Sequence, residues 1–283
     1  DEVWTLMVRS RACAASRTIR LRGVMLRPRQ AGLGFASRSF ISGSRQCHAN
    51  LPDMMKMEKA AIPLIVPDPD DPRLTERVAG TDQTGASVEI KVPVERPLTL
   101  FLNGQEIVTM MTIGDYPDYM GVGYLINQNM LRADDRIVGI DYDAEIDTIV
   151  VRTERPTNFE VKLKKKTRTS GCAQGTVFGD VMETFETIVL DKAAILRTSW
   201  LYPLSRKINT QPSLYLEAGA IHGCVLCEAD RPLIYMEDGG RYNAIDKIAV
   251  RLFLHKVGPD GKLFHTPGRL PSEMVIKCVQ MRI

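Results

Sequence analysis

Cys172 is the residue whose neighbours best suit it for chemistry. It stands in Thr167-Arg168-Thr169-Ser170-Gly171-Cys172-Ala173-Gln174-Gly175-Thr176-Val177-Phe178-Gly179-Asp180, between a lysine-rich run and an apolar one. Glycines and hydroxyl side chains give a backbone that turns tightly and admits a ligand closely. A helix predicted over Val177–Glu186 puts Cys172 just before a helix N-terminus. Unpaired amides and the helix dipole there favour the thiolate, the form that does sulfur chemistry. Two readings stay open from these residues: a structural cysteine in a turn, or a nucleophile and sulfur carrier on a loop.

A second constellation runs Asp238-Gly239-Gly240-Arg241-Tyr242-Asn243-Ala244-Ile245-Asp246-Lys247, joining a strand end to a helix start. Paired glycines let a backbone approach a phosphate, helix amides face it, and Arg241 can grip it with two parallel bonds. Asn243, Asp246 and Lys247 supply donors and a carboxylate suited to a base edge. The plainer reading is a Gly-Gly turn with an aspartate cap. A third group, His222-Gly223-Cys224-Val225-Leu226-Cys227, holds three soft metal ligands, and a Cys-x-x-Cys suggests zinc or redox work. On a strand, however, His222 and Cys224 face one way and Cys227 the other. The favoured reading is therefore two buried cysteines in a central strand, with His222 alone near a site. A zinc deaminase is excluded: no histidine is followed two residues later by glutamate, and Cys224 has no preceding proline. Lys162, Lys164, Lys165, Lys166 and Arg168 precede Cys172. They protect an edge strand or attract an anionic ligand.

Composition narrows the class. The chain has 283 residues, 44% hydrophobic and 25% charged, as in an ordinary globular protein of one large or two modest domains. No apolar run approaches the length of a membrane span, so no membrane is expected as a partner. Six scattered cysteines do not form a dense disulfide framework, which favours a reducing, cytoplasmic setting. The formal charge of +3 comes from the N-terminus: residues 1–53 hold nine arginines and three acids. The rest carries 28 basic and 31 acidic side chains, and nucleic acid loses its compositional support.

The elements that must position these groups follow in order. Residues 1–53 are Arg-, Ser- and Ala-rich and aperiodic. They are expected to be a leader outside the fold: a transit peptide or, the preferred reading, sequence upstream of a start near Met54, Met55 and Met57. Residues 54–86 are expected to be a linker, Pro/Asp-rich over Pro63–Gly85. A β-rich part over 87–166 begins with Ser87–Val92, then Pro97–Leu102 and Gln105–Met111 around Asn103-Gly104, a strong hairpin signal. Asp115 is expected to cap a helix over Pro117–Met130. Arg136–Tyr142, Thr148–Thr153 and Phe159–Lys166 read as strands. A second domain, 167–283, contains helices over Ala194–Ile208 and Tyr242–Leu254, a short strand at Leu233–Met236, strand-like Leu263-Phe264, and a final helix begun by Pro271. This succession predicts an α/β (α+β) protein.

Taken together, Glu95-Arg96-Pro97-Leu98-Thr99-Leu100, the Cys172 loop, Ala220-Ile221-His222, Asp238–Lys247 and Gly268-Arg269-Leu270-Pro271-Ser272-Glu273-Met274-Val275-Ile276 resemble the formate dehydrogenase accessory sulfurtransferase (FdhD) family over about residues 88–281. The resemblance implies a cytidine-deaminase-like three-layer domain that does not deaminate, with a smaller β-rich N-terminal part. It implies a sulfurtransferase whose Cys172 takes persulfide sulfur from a cysteine desulfurase. The sulfur then goes to a bound substrate, the molybdenum (or tungsten) bis-(molybdopterin guanine dinucleotide) cofactor, which formate dehydrogenase needs. His222, Gly239, Gly240, Arg241, Asn243, Asp246 and Lys247 are the expected cofactor-binding residues, with Asp246 accepting from guanine N1 and N2. Partners are then a cysteine desulfurase and formate dehydrogenase, with a homodimer among the candidates and no resident metal. The rival reading is a nonenzymatic zinc- or cofactor-binding chaperone module using Cys224 and Cys227. Two residues depart from the family pattern: Gly175 replaces the second cysteine of its Cys-x-x-Cys loop, and Tyr242 replaces a histidine. The family also continues past the final helix, so the chain is expected to be truncated at its C-terminus.

Overall fold

The computed structural model describes residues 67–132, 134–155, 185, 187–254 and 257–283. Strands β1 (Thr75–Thr81) and β2 (Ser87–Pro93) pair as an antiparallel ribbon. The linker expected over 54–86 therefore contains a strand, with turns at residues 69–70 before it and 83–84 after it.

A four-stranded sheet follows, in the order β4-β3-β6-β5. It comprises β3 (Arg96–Leu102), β4 (Gln105–Thr112), β5 (Ile137–Asp143) and β6 (Thr148–Thr153). The β3–β4 hairpin turns at Asn103 and Gly104, whose φ of 50° and 82° suit the mirror-image turn that strand twist requires. β3 also pairs in parallel with β6. Leu98, Leu100 and Leu102 alternate into the core from β3, and Ile149 and Val151 from β6.

Between β4 and β5 lies α1 (Pro117–Asn127), shorter than the helix expected to reach Met130. Its N-cap is Tyr116 in the left-handed region, without a side-chain capping bond, and not the expected Asp115. The Asp115 carboxylate is drawn inward by Lys247.

The expected helix over Ala194–Ile208 forms as α2 (Thr198–Thr210), and the short α3 (Leu214–Ala218) leads into a second sheet. That sheet has the order β8-β7-β9, from β7 (His222–Glu228), β8 (Arg231–Asp238) and β9 (Lys262–His265), all antiparallel. α4 (Arg241–Leu254) follows β8, and α5 (Ser272–Gln280) closes the described chain, with Pro271 as its N-cap.

One cluster of buried residues runs from Leu98 through α1 and α4 to Met281, across the boundary expected at 166/167. α1 meets both sides through small residues: a Cβ on Gly121 would lie 3.0 Å from Ile149, and one on Gly123 1.8 Å from the carbonyl oxygen of Asp246. A second cluster holds Leu204 and Ile208 of α2 against Val225, Cys227 and Tyr235 on the opposite face of the second sheet. That sheet thus has α4 on one face and α2 on the other, a three-layer arrangement in a mixed α/β fold.

Candidate functional site

β8 ends at Asp238, whose side chain is wholly buried. Its Oδ1 accepts from the Gly240 amide at 3.2 Å and from Asn243 Nδ2 at 2.9 Å. Its Oδ2 accepts from Thr112 Oγ1 at 2.6 Å and pairs with Lys247 Nζ at 2.7 Å. One carboxylate therefore fastens the Gly239-Gly240 turn, the start of α4 and the end of β4 together. The Asn243 and Ala244 amides bond to the Gly240 carbonyl, closing the first turn of α4. Gly239 and Gly240 do not have positive φ among the described residues. Gly239 instead leaves room for a neighbouring side chain: a Cβ there would sit 2.0 Å from Oε1 of Glu95.

Arg241 opens α4, half-buried, with Nη1 donating to the Arg269 carbonyl at 3.3 Å. It has no carboxylate partner among the described residues, so its charge is available to an anion. His222 starts β7 directly across from Asp238. Burial pushes its pKa below the ordinary value, the Arg241 charge pushes it further down, and Asp238 pulls the other way. Half-buried His222 is therefore neutral near neutral pH. Ala220, two residues earlier, is held at φ 50°, a strained turn that aims the chain into β7.

Three of the expected ligand-facing residues are turned to internal work. Asn243 Nδ2 donates to Met111 O at 2.7 Å as well as to Asp238, so both amide hydrogens are used within the protein. Lys247 is entirely buried: Nζ pairs with Asp115 and Asp238 and donates to the Glu237 carbonyl at 3.0 Å. Asp246 is 1% exposed, accepts twice from Lys277 Nζ at 2.6 Å, and accepts from Asn127 Nδ2 at 2.6 Å. The expectation that Asp246 reads a base edge and that Lys247 donates to a ligand is thus corrected. α4 packs on the second sheet and is covered also by α1 and α5, so its polar residues Asp246 and Lys247 are buried along with its apolar ones. Thr112, Asp115 and Lys277, which complete these internal bonds, carried no recognisable signal. They lie far from their partners in sequence, and Asp115 matched a helix cap instead.

Strand alternation separates Cys224 and Cys227 into different buried clusters. They cannot converge on one zinc ion, which removes the basis of the zinc-module reading. Among the described residues no group of three or more His, Cys, Asp or Glu is placed to hold a metal. Burial raises the thiol pKa of Cys224, and pushes Cys227 and Cys278 up to about 12. These three are protonated and inert near neutral pH. Cys172 and its loop, the helix expected over Val177–Glu186 apart from Phe185, Lys162, Lys164, Lys165, Lys166, Arg168 and the strand expected over Phe159–Lys166 lie outside the described residues. None of the helices among the described residues is long and apolar enough to cross a membrane.

Comparison with known proteins gives a consistent result. The model of the FdhD/NarQ family matches residues 93–283. Relatives include the sulfur carrier protein FdhD of Shouchella clausii strain KSM-K16, 27% identical over 73% of this chain and 80% of the relative. The protein of the same name from Wolinella succinogenes is 28% identical over 74% of this chain and 72% of its own length. A crystal structure of a formate dehydrogenase accessory protein from Desulfotalea psychrophila covers 73% of this chain and 79% of that chain at a TM-score of 0.56. With 22% identity, that likeness establishes a shared fold.

Proposed function

The chain belongs to the FdhD/NarQ family, and we propose that it is a sulfur carrier serving formate dehydrogenase, with Cys172 as the carrying residue. A cysteine desulfurase presents the sulfur as a persulfide, and the cofactor of formate dehydrogenase receives it as bound substrate. That cofactor is the molybdenum or tungsten bis-(guanine dinucleotide) form. The Cys172 thiolate attacks the terminal sulfur of the donor persulfide. The new S–S bond forms as the donor S–S bond breaks, and the donor cysteine leaves as thiolate. This transfer between two cysteines needs no external oxidant or reductant, because the sulfane sulfur keeps its oxidation state in passing from one thiolate to the other. One cysteine suffices for this step, so glycine at 175 is no obstacle.

The observation that carries this reading is the burial of the alternatives. Within the family-matched stretch the cysteines are Cys172, Cys224, Cys227 and Cys278. Cys224 and Cys227 are wholly buried in the second sheet, and burial holds Cys278 protonated. The sulfur-carrying role falls to Cys172 by elimination.

The cofactor's nucleotide arm is assigned to the turn after β8. Arg241 lacks a carboxylate partner among the described residues and can pair with a diphosphate at the positive end of the α4 dipole. His222, beside Arg241 and uncharged, donates or accepts one hydrogen bond there without adding charge.

The test is mass spectrometry of the full chain after incubation with a cysteine desulfurase and cysteine. The expected product is a reducible adduct of one sulfur atom on the Cys172 peptide, absent from Cys172→Ser. Cys224→Ala and Cys227→Ala should keep the adduct while losing stability. An adduct on Cys224 with none on Cys172 would overturn the assignment.

A further inference from the structure

If Asp246 is internal, a purine at this turn needs another carboxylate to read it. Glu95, in the two-residue connection between β2 and β3, is in position. Its side chain is exposed, and it has no hydrogen-bond or ion-pair partner among the described residues. The carboxylate nevertheless lies against the Gly239-Gly240 turn: Oε1, Cδ and Cγ would be 2.0, 2.9 and 3.4 Å from a Cβ on Gly239. Asp238, the other carboxylate of the turn, has both oxygens occupied.

We propose that Glu95 determines the base specificity of the nucleotide site, accepting hydrogen bonds from guanine N1–H and N2–H. This rests on the assignment of the nucleotide arm to this turn. Guanine offers two adjacent donors that match the two oxygens of one carboxylate, whereas adenine offers an acceptor at N1 beside its amino donor. A free carboxylate at Gly239 also repels phosphate. The diphosphate is therefore displaced from Gly239 toward the Arg241 guanidinium at the start of α4, with the base on the Glu95 side. Exposed apolar side chains flank both ends: Met111, 52% exposed, opposite Pro97 on β4, and Leu270, 41% exposed, next to the Arg269 carbonyl that Arg241 grips. Such side chains cover the faces of a flat base. The absence of a Cβ at Gly239 is what lets the Glu95 carboxylate rest there.

Calorimetric titration of the full chain with GDP, ADP and IDP, all in EDTA, tests the proposal. The wild type should prefer GDP to ADP, with IDP between them because it lacks the N2 amine. Glu95→Gln should weaken GDP about ten- to a hundredfold, as expected for losing charge-assisted hydrogen bonds, and leave ADP within about threefold. Gly239→Ala should reproduce this loss, because the added methyl displaces the carboxylate end of a flexible side chain. Matching thermal melts of both variants with wild type would show that the fold is intact. A Glu95→Gln protein that keeps the wild-type ratio of GDP to ADP affinity would overturn the role of Glu95 and leave the site standing. A wild type that binds no nucleotide would overturn the site itself, and Glu95 with it. A loss that appears only when magnesium replaces EDTA would assign Glu95 to a cation and also overturn the proposal.

Discussion

Lys247 has no exposed atom, yet it holds three parts of the chain together: Asp115 before α1, Asp238 at the end of β8, and its own helix. Taking a lysine and two carboxylates out of water costs several kcal/mol per ion, and their attraction offsets this only while all partners remain. Lys247→Met keeps most of the volume and removes the cation, leaving two carboxylates buried together. The expected cost is about 3–5 kcal/mol at neutral pH, read from urea unfolding. The pH dependence has a definite sign. Burial already holds Asp115 above the usual carboxylate range, with Lys247 pulling it down. Without Lys247 its pKa rises further, so the folded variant takes up protons that the unfolded chain does not. Stability of the variant should then increase as pH falls toward the carboxylate range, narrowing its deficit. In the wild type, Asp115 and Asp238 more than offset the burial penalty, so the Lys247 pKa is raised. Its contribution is complete below the ordinary lysine value and is lost as pH rises through the raised one. A deficit independent of pH between neutral and mildly acid conditions would contradict this account.

At the scale of elements, α1 packs closely against α4. Gly123 allows it, since a Cβ there would fall 1.8 Å from the backbone oxygen of Asp246, which cannot rotate away. Gly123→Ala must force the helices apart, and with them the Asn127–Asp246–Lys277 bonds. Overpacking of this kind costs about 1–3 kcal/mol, and rigid backbone on both sides puts this case at or above the upper end. Gly121→Ala makes the natural control. Its Cβ would meet only side-chain atoms of Ile149 and Leu100 at 3.0–3.2 Å, and alanine gains about 1 kcal/mol of helix propensity over glycine. Urea unfolding should show Gly121→Ala within about 1 kcal/mol of wild type and Gly123→Ala far below it. Equal costs would mean that the α1–α4 contact is not the limiting one.

For the whole molecule, a core that passes through α1 and α4 makes two domains split near residue 166 a poor description. α1, from the N-terminal half, packs on the four-stranded sheet, α4, from the C-terminal half, packs on the second sheet, and the two helices pack against each other within one buried cluster. Unfolding of the described body is therefore expected to be one cooperative transition. In a Trp4→Phe variant Trp200, at the start of α2, reports on that helix, whose Leu204 and Ile208 pack on the second sheet. Its fluorescence and far-ultraviolet circular dichroism should give coincident urea midpoints. Two separated transitions would restore the boundary expected at 166/167.

Local chemistry made several features legible in the sequence. Asn103-Gly104 specified a hairpin because both residues tolerate positive φ. Period-two alternation separated Cys224 from Cys227, and the apolar period of α4 identified the helix. Ordered motifs from Glu95 to Met274 pointed to the family. Tertiary structure decided which polar residues face a ligand. Helical periodicity marks Asp246 and Lys247 as polar, but α1, α5 and the Asp115 turn cover them, from 31 to 132 residues away in sequence. Nothing local to those residues encodes that cover. Likewise Glu95 becomes part of the site only because the β2–β3 connection folds over Gly239, a meeting of distant backbone segments that no local pattern records.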